Sequence, residues 1–184
     1  GEDVYVKMAA RIYGVPEEEV TKDQRFVGKT TILGCGYGMG AQRFMDQLKN
    51  FGVDVHLTEA RRIIDIYRKA NHAITKLWND ASVCIKELTN RQAVRVGAVP
   101  IAEALGPLRA LRLPSGLLMR YEDLQHEQGE KGLEYTYKTR RGRTRIYGGK
   151  MVENVCQAVA RCIIAEQMVK IAKRYRVVMT VHDS

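Results

Sequence analysis

What the 184-residue chain lacks narrows it first. No apolar run approaches the roughly 20 residues that a bilayer-spanning helix needs, so no membrane partner is expected. No secretory signal pattern opens the chain. The four cysteines, Cys35, Cys84, Cys156 and Cys162, include no C-x-x-C pair. They read as reduced thiols in a cytosolic setting. The four histidines, His56, His72, His126 and His182, are far apart, which excludes a zinc-like spacing. There is no internal repeat and no low-complexity segment. There is also no initiator Met. The chain starts at Gly1 in a helical pattern and stops at Ser184 within an apolar run, as an excerpt from a longer polypeptide would.

What is present is an ordinary globular composition with an excess of positive charge. Hydrophobic residues make up 45%, and 30 Lys and Arg stand against 21 Asp and Glu, a formal net charge of +9. That sign favours a polyanionic partner, nucleic acid before an anionic membrane. A basic protein with no such partner carries the same charge.

The stretch from Thr21 to Gly40, TKDQRFVGKTTILGCGYGMG, organises the rest. Thr21 followed by Gln24 is a capping-box pattern, each side chain satisfying the other residue's backbone donor. Arg25, Lys29, Leu33 and Tyr37 then recur at intervals of four, a slowly drifting stripe on a 3.6-residue helix. Two cations at one end and a ring at the other suit a ligand with a polyanionic tail and a planar head, such as a nucleoside triphosphate. The partial positive charge of the helix N-terminus adds to the phosphate end. Solvated helix charges are the ordinary alternative. Gly34, Gly36, Gly38 and Gly40 break the helix and admit close backbone approach.

Two phosphate-binding motifs are excluded here. Gly28-Lys29-Thr30 would end a P-loop, but Asp23 holds the position of its first glycine and no strand precedes it. A dinucleotide fingerprint counted from Gly34 meets Met39 in place of its third glycine.

Along the chain, residues 3–13 read as a helix capped by Asp3 and ended by Gly14 and Pro16. The stretch AQRFMDQLKNFG, residues 41–52, reads as a short helix stopped by Gly52. A further helix starts at Thr58 and runs to about Trp78, with a bend near Asn71 to Ala73, and residues 79–89 continue helical. Residues 90–116, with three prolines and three glycines, read as a loop-rich connector holding a short helix near Ile101 to Leu105. Leu117 to Tyr121 and Leu133 to Thr139 read as paired strands with Gln128 to Gly132 as their turn. Met151 to Tyr175 is helical again, and Val177 to Val181 is a β-branched run. The fold class is therefore mainly α with a small antiparallel β part. The boundaries are a helical region over 1–89, a connector over 90–116 and a mixed region over 117–184.

Other residues carry candidate chemistry. Lys138, Arg140, Arg141, Arg143 and Arg145 put five cations in eight residues, suited to a phosphate backbone or to a solvated hairpin. Asn154 and Gln157, one helical turn apart, suit the minor groove, where acceptors are common to all base pairs. They also suit an ordinary polar surface. Asp183 at a strand end beside His182 is either a turn residue or a ligand for a hard cation such as Mg²⁺.

Together these residues resemble the family A DNA polymerases, the bacterial DNA polymerase I type, and especially their phage members. Arg25-x3-Lys29-x7-Tyr37-Gly38 resembles the family's motif B on the fingers helix. Val181-His182-Asp183 resembles motif C on the palm hairpin. YGGKMVENVCQAVAR, from Tyr147 to Arg161, resembles the palm helix segment of phage members, and DVYVKMAARIYGVP resembles the segment before motif B. The resemblance covers nearly the whole chain and implies the fingers and part of the palm of a right-hand polymerase.

The resemblance implies template-directed DNA synthesis by two-metal nucleotidyl transfer to a primer 3′ end. Arg25 and Lys29 would bind the triphosphate, with Lys29 giving a proton to the departing pyrophosphate. Leu33 and Tyr37 would line the nucleotide site and Gly38 the template. Asp183 would be one of two aspartates holding two Mg²⁺ ions, and His182 would support the primer end. Gln157, Lys150 and Asn154 would touch a primer–template duplex, with Arg143 on its backbone. The implied partners are DNA and deoxynucleoside triphosphates, for a monomer in the cytoplasm of a phage-infected bacterium. The family's motif A, with the second aspartate, is not in this chain and is expected upstream of Gly1, so the 184 residues alone are expected to be inactive. Leu33 stands where Phe or Tyr is usual, Ser184 where Glu is usual, and Cys162 where phage relatives often carry Asp. A single-subunit RNA polymerase, or a basic nucleic-acid-binding module without catalysis, would share parts of this pattern.

Overall fold

The computed structural model describes residues 2–91, 102–129 and 132–180. Contacts divide the chain into two compact units. One comprises Gly1–Val83 with Tyr147–Lys150, the other Cys84–Ile146 with Met151–Ser184. The architecture is mainly α-helical, with two small three-stranded antiparallel sheets.

The first unit is built from α1 (Val4–Tyr13), α2 (Lys22–Cys35), α3 (Ala41–Asn50), α4 (Leu57–Ala70) and the greater part of α5 (His72–Thr89). Local chemistry sets its boundaries. Asp3 caps α1, its Oδ1 accepting from the backbone N–H of Tyr5 at 2.9 Å and of Val6 at 3.2 Å. Gly14 at φ +69° ends α1 in the left-handed region. The capping box at α2 is complete, with Gln24 N–H donating to Thr21 Oγ1 at 3.2 Å and Thr21 N–H to Gln24 Oε1 at 3.0 Å. The bend read near Asn71 is a break, since Asn71 leaves the helical region and separates α4 from α5. Phe44, Leu48, Ile63, Ile64 and Tyr67 are buried, each contributing about 1.5–3 kcal/mol on removal from water. Helix α1 lies directly on α2 at Gly28. A Cβ there would collide with the Tyr5 carbonyl oxygen and stand 3.0 Å from Ala9 N.

The second unit holds both sheets. Strands β1 (Glu103–Leu105), β2 (Ala110–Arg112) and β3 (Leu118–Arg120) form one, in that order. Strands β4 (Gln125–Gly129), β5 (Gly132–Thr139) and β6 (Gly142–Ile146) form the other. Helix α6 (Gly148–Ala172) follows.

Four sequence expectations are corrected here. Of the short helix expected near Ile101 to Leu105, Glu103–Leu105 form strand β1 instead, with Glu103 paired to Arg112 across the ladder at 3.0 Å, and Ile101 lies outside the described residues. Strand β5 pairs with β4, not with the 117–121 segment, which joins β2 as β3. Gln128 and Gly129, expected in the turn, are the last residues of β4. The basic stretch lies on the β5–β6 hairpin, Lys138 in β5, Arg140 and Arg141 in a two-residue turn that Gly142 at φ +114° allows, and Arg143 and Arg145 in β6. Residues 176–180 form no strand. Val178 and Met179 are 83% and 74% exposed, and no described strand lies beside them to pair.

Candidate nucleotide and nucleic-acid site

Helix α2 buries Val27, Gly28, Thr30, Thr31, Gly34 and Cys35 and turns Arg25, Lys29 and Leu33 to solvent. Tyr37, just past its end, is also exposed. Arg25, Lys29 and Leu33 therefore share one open side of α2, whereas Tyr37, expected on the same helical stripe, lies in the turn beyond Cys35; α2 spans about 15 Å from Arg25 to Cys35 at 1.5 Å per residue. Burial fixes the helix that carries them: it pushes the Cys35 thiol up to about 12 and the Tyr67 phenol up to about 12.

Arg25 and Lys29 differ in their surroundings. Arg25 Nε donates to Asp3 Oδ2 at 2.8 Å, and its guanidinium carbon lies 5.4 Å from the centre of the Tyr5 ring. This hydrogen bond is the main reason the Asp3 carboxyl is held below its ordinary range. Lys29 makes no hydrogen bond or ion pair among the described residues, so its ammonium is open to an anionic ligand.

At the other end the glycines serve backbone approach. Gly38 has φ +82°, which favours glycine, and a Cβ on it would stand 3.5 Å from the Tyr147 ring. Gly149 lies against the Tyr37 carbonyl, and a Cβ on Gly148 would collide with the Trp78 carbonyl. The Tyr147-Gly148-Gly149-Lys150 segment thus belongs to the same unit as Tyr37 and Gly38. Tyr147 and the glycine pair were not read from the sequence as parts of this site. Two adjacent glycines at a helix start were the available signal.

The remaining candidates lie in the second unit. Asn154 is half-buried beside Tyr121, whose ring meets Tyr137 edge-on at 5.1 Å. The Tyr121 hydroxyl makes no hydrogen bond of good geometry. Burial pushes its pKa up, and the neighbouring Asn154 amide offsets this only in part. Gln157 is exposed, and its amide donates to Glu153 Oε1 at 3.1 Å. Arg143 is engaged within the sheet. It donates to Asp123 Oδ2 at 2.6 Å, to Asp123 O at 2.9 Å and to Thr136 Oγ1 at 3.0 Å. Arg145 pairs with Glu134. Lys138, Arg140 and Arg141, at the hairpin tip, have no ion pair among the described residues.

His182 and Asp183 lie outside the described residues. Among the described residues no group of three or more His, Cys, Asp and Glu side chains could hold a metal ion. No described helix is long and apolar enough to cross a membrane.

The segment that holds Arg25, Lys29 and Tyr37 falls within a recognised family: residues 1–97 match DNA polymerase family A. The chain belongs to that family. It is similar to the DNA polymerase of Bacillus phage SP02, 31% identical over 193 aligned positions covering 98% of this chain and 29% of that protein. It is also similar to DNA polymerase I of Aquifex aeolicus (strain VF5), 32% identical over 81 positions covering 44% of this chain and 14% of that protein. The chain thus spans less than a third of the length of either relative.

Proposed function

We propose that this chain supplies the nucleotide-delivery helix and part of the duplex-binding surface of a template-directed DNA polymerase. The observation that carries the reading is the open pair Arg25 and Lys29 on α2, with the exposed Tyr37 just past its end, in a chain of this family. Arg25 and Lys29 grip the triphosphate, and the N-terminal end of α2 adds its favourable potential. Lys29 gives a proton to the pyrophosphate as it leaves, a general-acid role. The Tyr37 ring stacks at the nascent base pair, and Gly38 lets the template approach the backbone.

In the same reading Gln157, Asn154 and Lys150 contact the primer–template duplex without reading its sequence. Residues 1–89 act as fingers, 117–184 as part of the palm, and 90–116 connects them. His182 supports the primer end.

Mg²⁺ would supply Lewis-acid stabilisation of the transferring phosphoryl group. The described residues supply no ligand set for it, and Asp183 is the one residue of this chain assigned to it. The remaining steps rest on the chain's own side chains. Single-nucleotide incorporation by the natural polypeptide carrying residues 1–184, compared with its Lys29→Ala and Tyr37→Ala variants, tests the reading. Both variants are expected to lose incorporation, and wild-type rates in both would overturn it.

A further inference from the structure

The Asp3 carboxylate joins two helices at the phosphate end of the proposed nucleotide site. Oδ1 takes the N–H groups of Tyr5 and Val6 and so caps α1. Oδ2 takes Nε of Arg25 on α2, 22 residues further along the chain, at 2.8 Å. Glu2, next to Asp3, is occupied by Lys7 and does not compete for Arg25.

The choice of atom matters. A carboxylate that faced both terminal nitrogens of a guanidinium would close the fork that binds phosphate. Here Asp3 holds Nε alone, and Nη1 and Nη2 of Arg25 make no hydrogen bond among the described residues. The Tyr5 ring, 5.4 Å from the guanidinium carbon, supports the group from a second direction. Both supports are rigidly placed relative to α2, because Gly28 brings α2 onto the α1 backbone at Tyr5 and Ala9. A long arginine side chain loses rotamer freedom when it grips a ligand, and prior fixing of its side edge reduces that loss.

We propose that Asp3 is a positioning residue for nucleotide binding: it orients Arg25 through Nε and leaves the two terminal nitrogens aimed at a phosphate group of the incoming nucleotide. The proposal rests on the assignment of Arg25 to the nucleotide site. It adds to that site a residue that touches no substrate.

Asp3→Asn is the informative variant, since asparagine caps a helix about as well as aspartate and α1 keeps its N-terminal hydrogen bonds. The natural polypeptide carrying residues 1–184 is assayed for single-nucleotide incorporation as wild type, Asp3→Asn, Arg25→Ala and the double variant. Thermal melting, with Asp3→Ser as a second capping variant, confirms that each is folded. Asp3→Asn is expected to raise the nucleotide KM about two- to five-fold, the span of a partly exposed ion pair, with kcat unchanged. Arg25→Ala is expected to raise KM further, and Asp3→Asn to add nothing in its background. A KM unchanged or lowered by Asp3→Asn, with Arg25→Ala still raising it, would overturn the positioning role alone. A KM unaffected by Arg25→Ala would remove the nucleotide-site assignment and the proposal with it.

Discussion

Gly149 meets the backbone of Tyr37: a Cβ built on Gly149 would stand 2.5 Å from the Tyr37 carbonyl oxygen and 3.3 Å from the Tyr147 ring. Alanine normally stabilises a helix relative to glycine by up to about 1 kcal/mol. Here the order reverses, because the colliding atoms are backbone and cannot swing aside. Gly149→Ala is expected to cost about 1–3 kcal/mol, read as a lower melting temperature, and to raise the nucleotide KM by displacing Tyr37. A variant that melts higher than wild type contradicts the packing.

The basic hairpin divides into a base that is spent on structure and a tip that is open. Arg143 is fastened to Asp123 and Thr136, whereas Arg140 and Arg141 are exposed at the turn. Each arginine removed at 140 or 141 is expected to reduce the slope of log K against log salt for duplex DNA by about 1. Arg143→Ala is expected to change stability instead, by leaving Asp123 without its partner, and to leave that slope in place. Equal effects at all three positions, seen in salt titrations, would refute the division.

Leu33 is 53% exposed on the open side of α2. Aromatic substitution there fills no core cavity, so Leu33→Phe and Leu33→Tyr are both expected to melt with the wild type. The resemblance to family A polymerases implies that this position, where Phe or Tyr is usual, bears on handling of the sugar, so Leu33→Tyr is expected to accept dideoxynucleotides more readily than Leu33→Phe, and both more readily than Leu33. Competition between dideoxy- and deoxynucleotides in primer extension reads the order directly. Phe above Tyr would show that the family rule does not hold here.

Alkaline pH tests the packing around α2. Burial raises Cys35 from 9.0 and Tyr67 from 10.0, each to about 12. The unfolded chain therefore releases these protons first. The stability they contribute is complete below about pH 9 and is lost as pH rises through the folded values. Urea midpoints measured from about pH 8 to about pH 11 are expected to fall, with a shallower fall in Tyr67→Phe. A flat profile would show these groups to be hydrated in the folded chain.

How far the sequence carried the fold differs by element. The capping box at Thr21 and Gln24, the Asp3 cap and the glycine ends of α1 and α3 were legible because each is set within a few residues. The open side of α2 was legible from the four-residue interval of Arg25, Lys29 and Leu33, but the interval also put Tyr37 on the helix, which ends at Cys35 before the glycine-rich turn. Strand β4 was not, since Gln125–Gly129 has no apolar alternation and is exposed along its first four residues. Its partner is set by the hairpin to β5, which no period in its own residues reveals. Arg143 looked like one cation of a run, and its bond to Asp123 spans 20 residues that the run does not contain. Nor does spacing reveal the service of Gly148 and Gly149, which lies in the neighbouring backbone they admit.

The central claim is that α2 delivers the nucleotide through Lys29. Rapid-quench measurement of single-nucleotide incorporation by the natural polypeptide carrying residues 1–184 and its Lys29→Ala variant tests it most directly. A fall in the incorporation rate of about 10²-fold or more is expected for loss of a general acid that also holds phosphate, with duplex DNA affinity nearly intact. An unchanged rate in Lys29→Ala, with the variant folded and bound to DNA, would contradict the account.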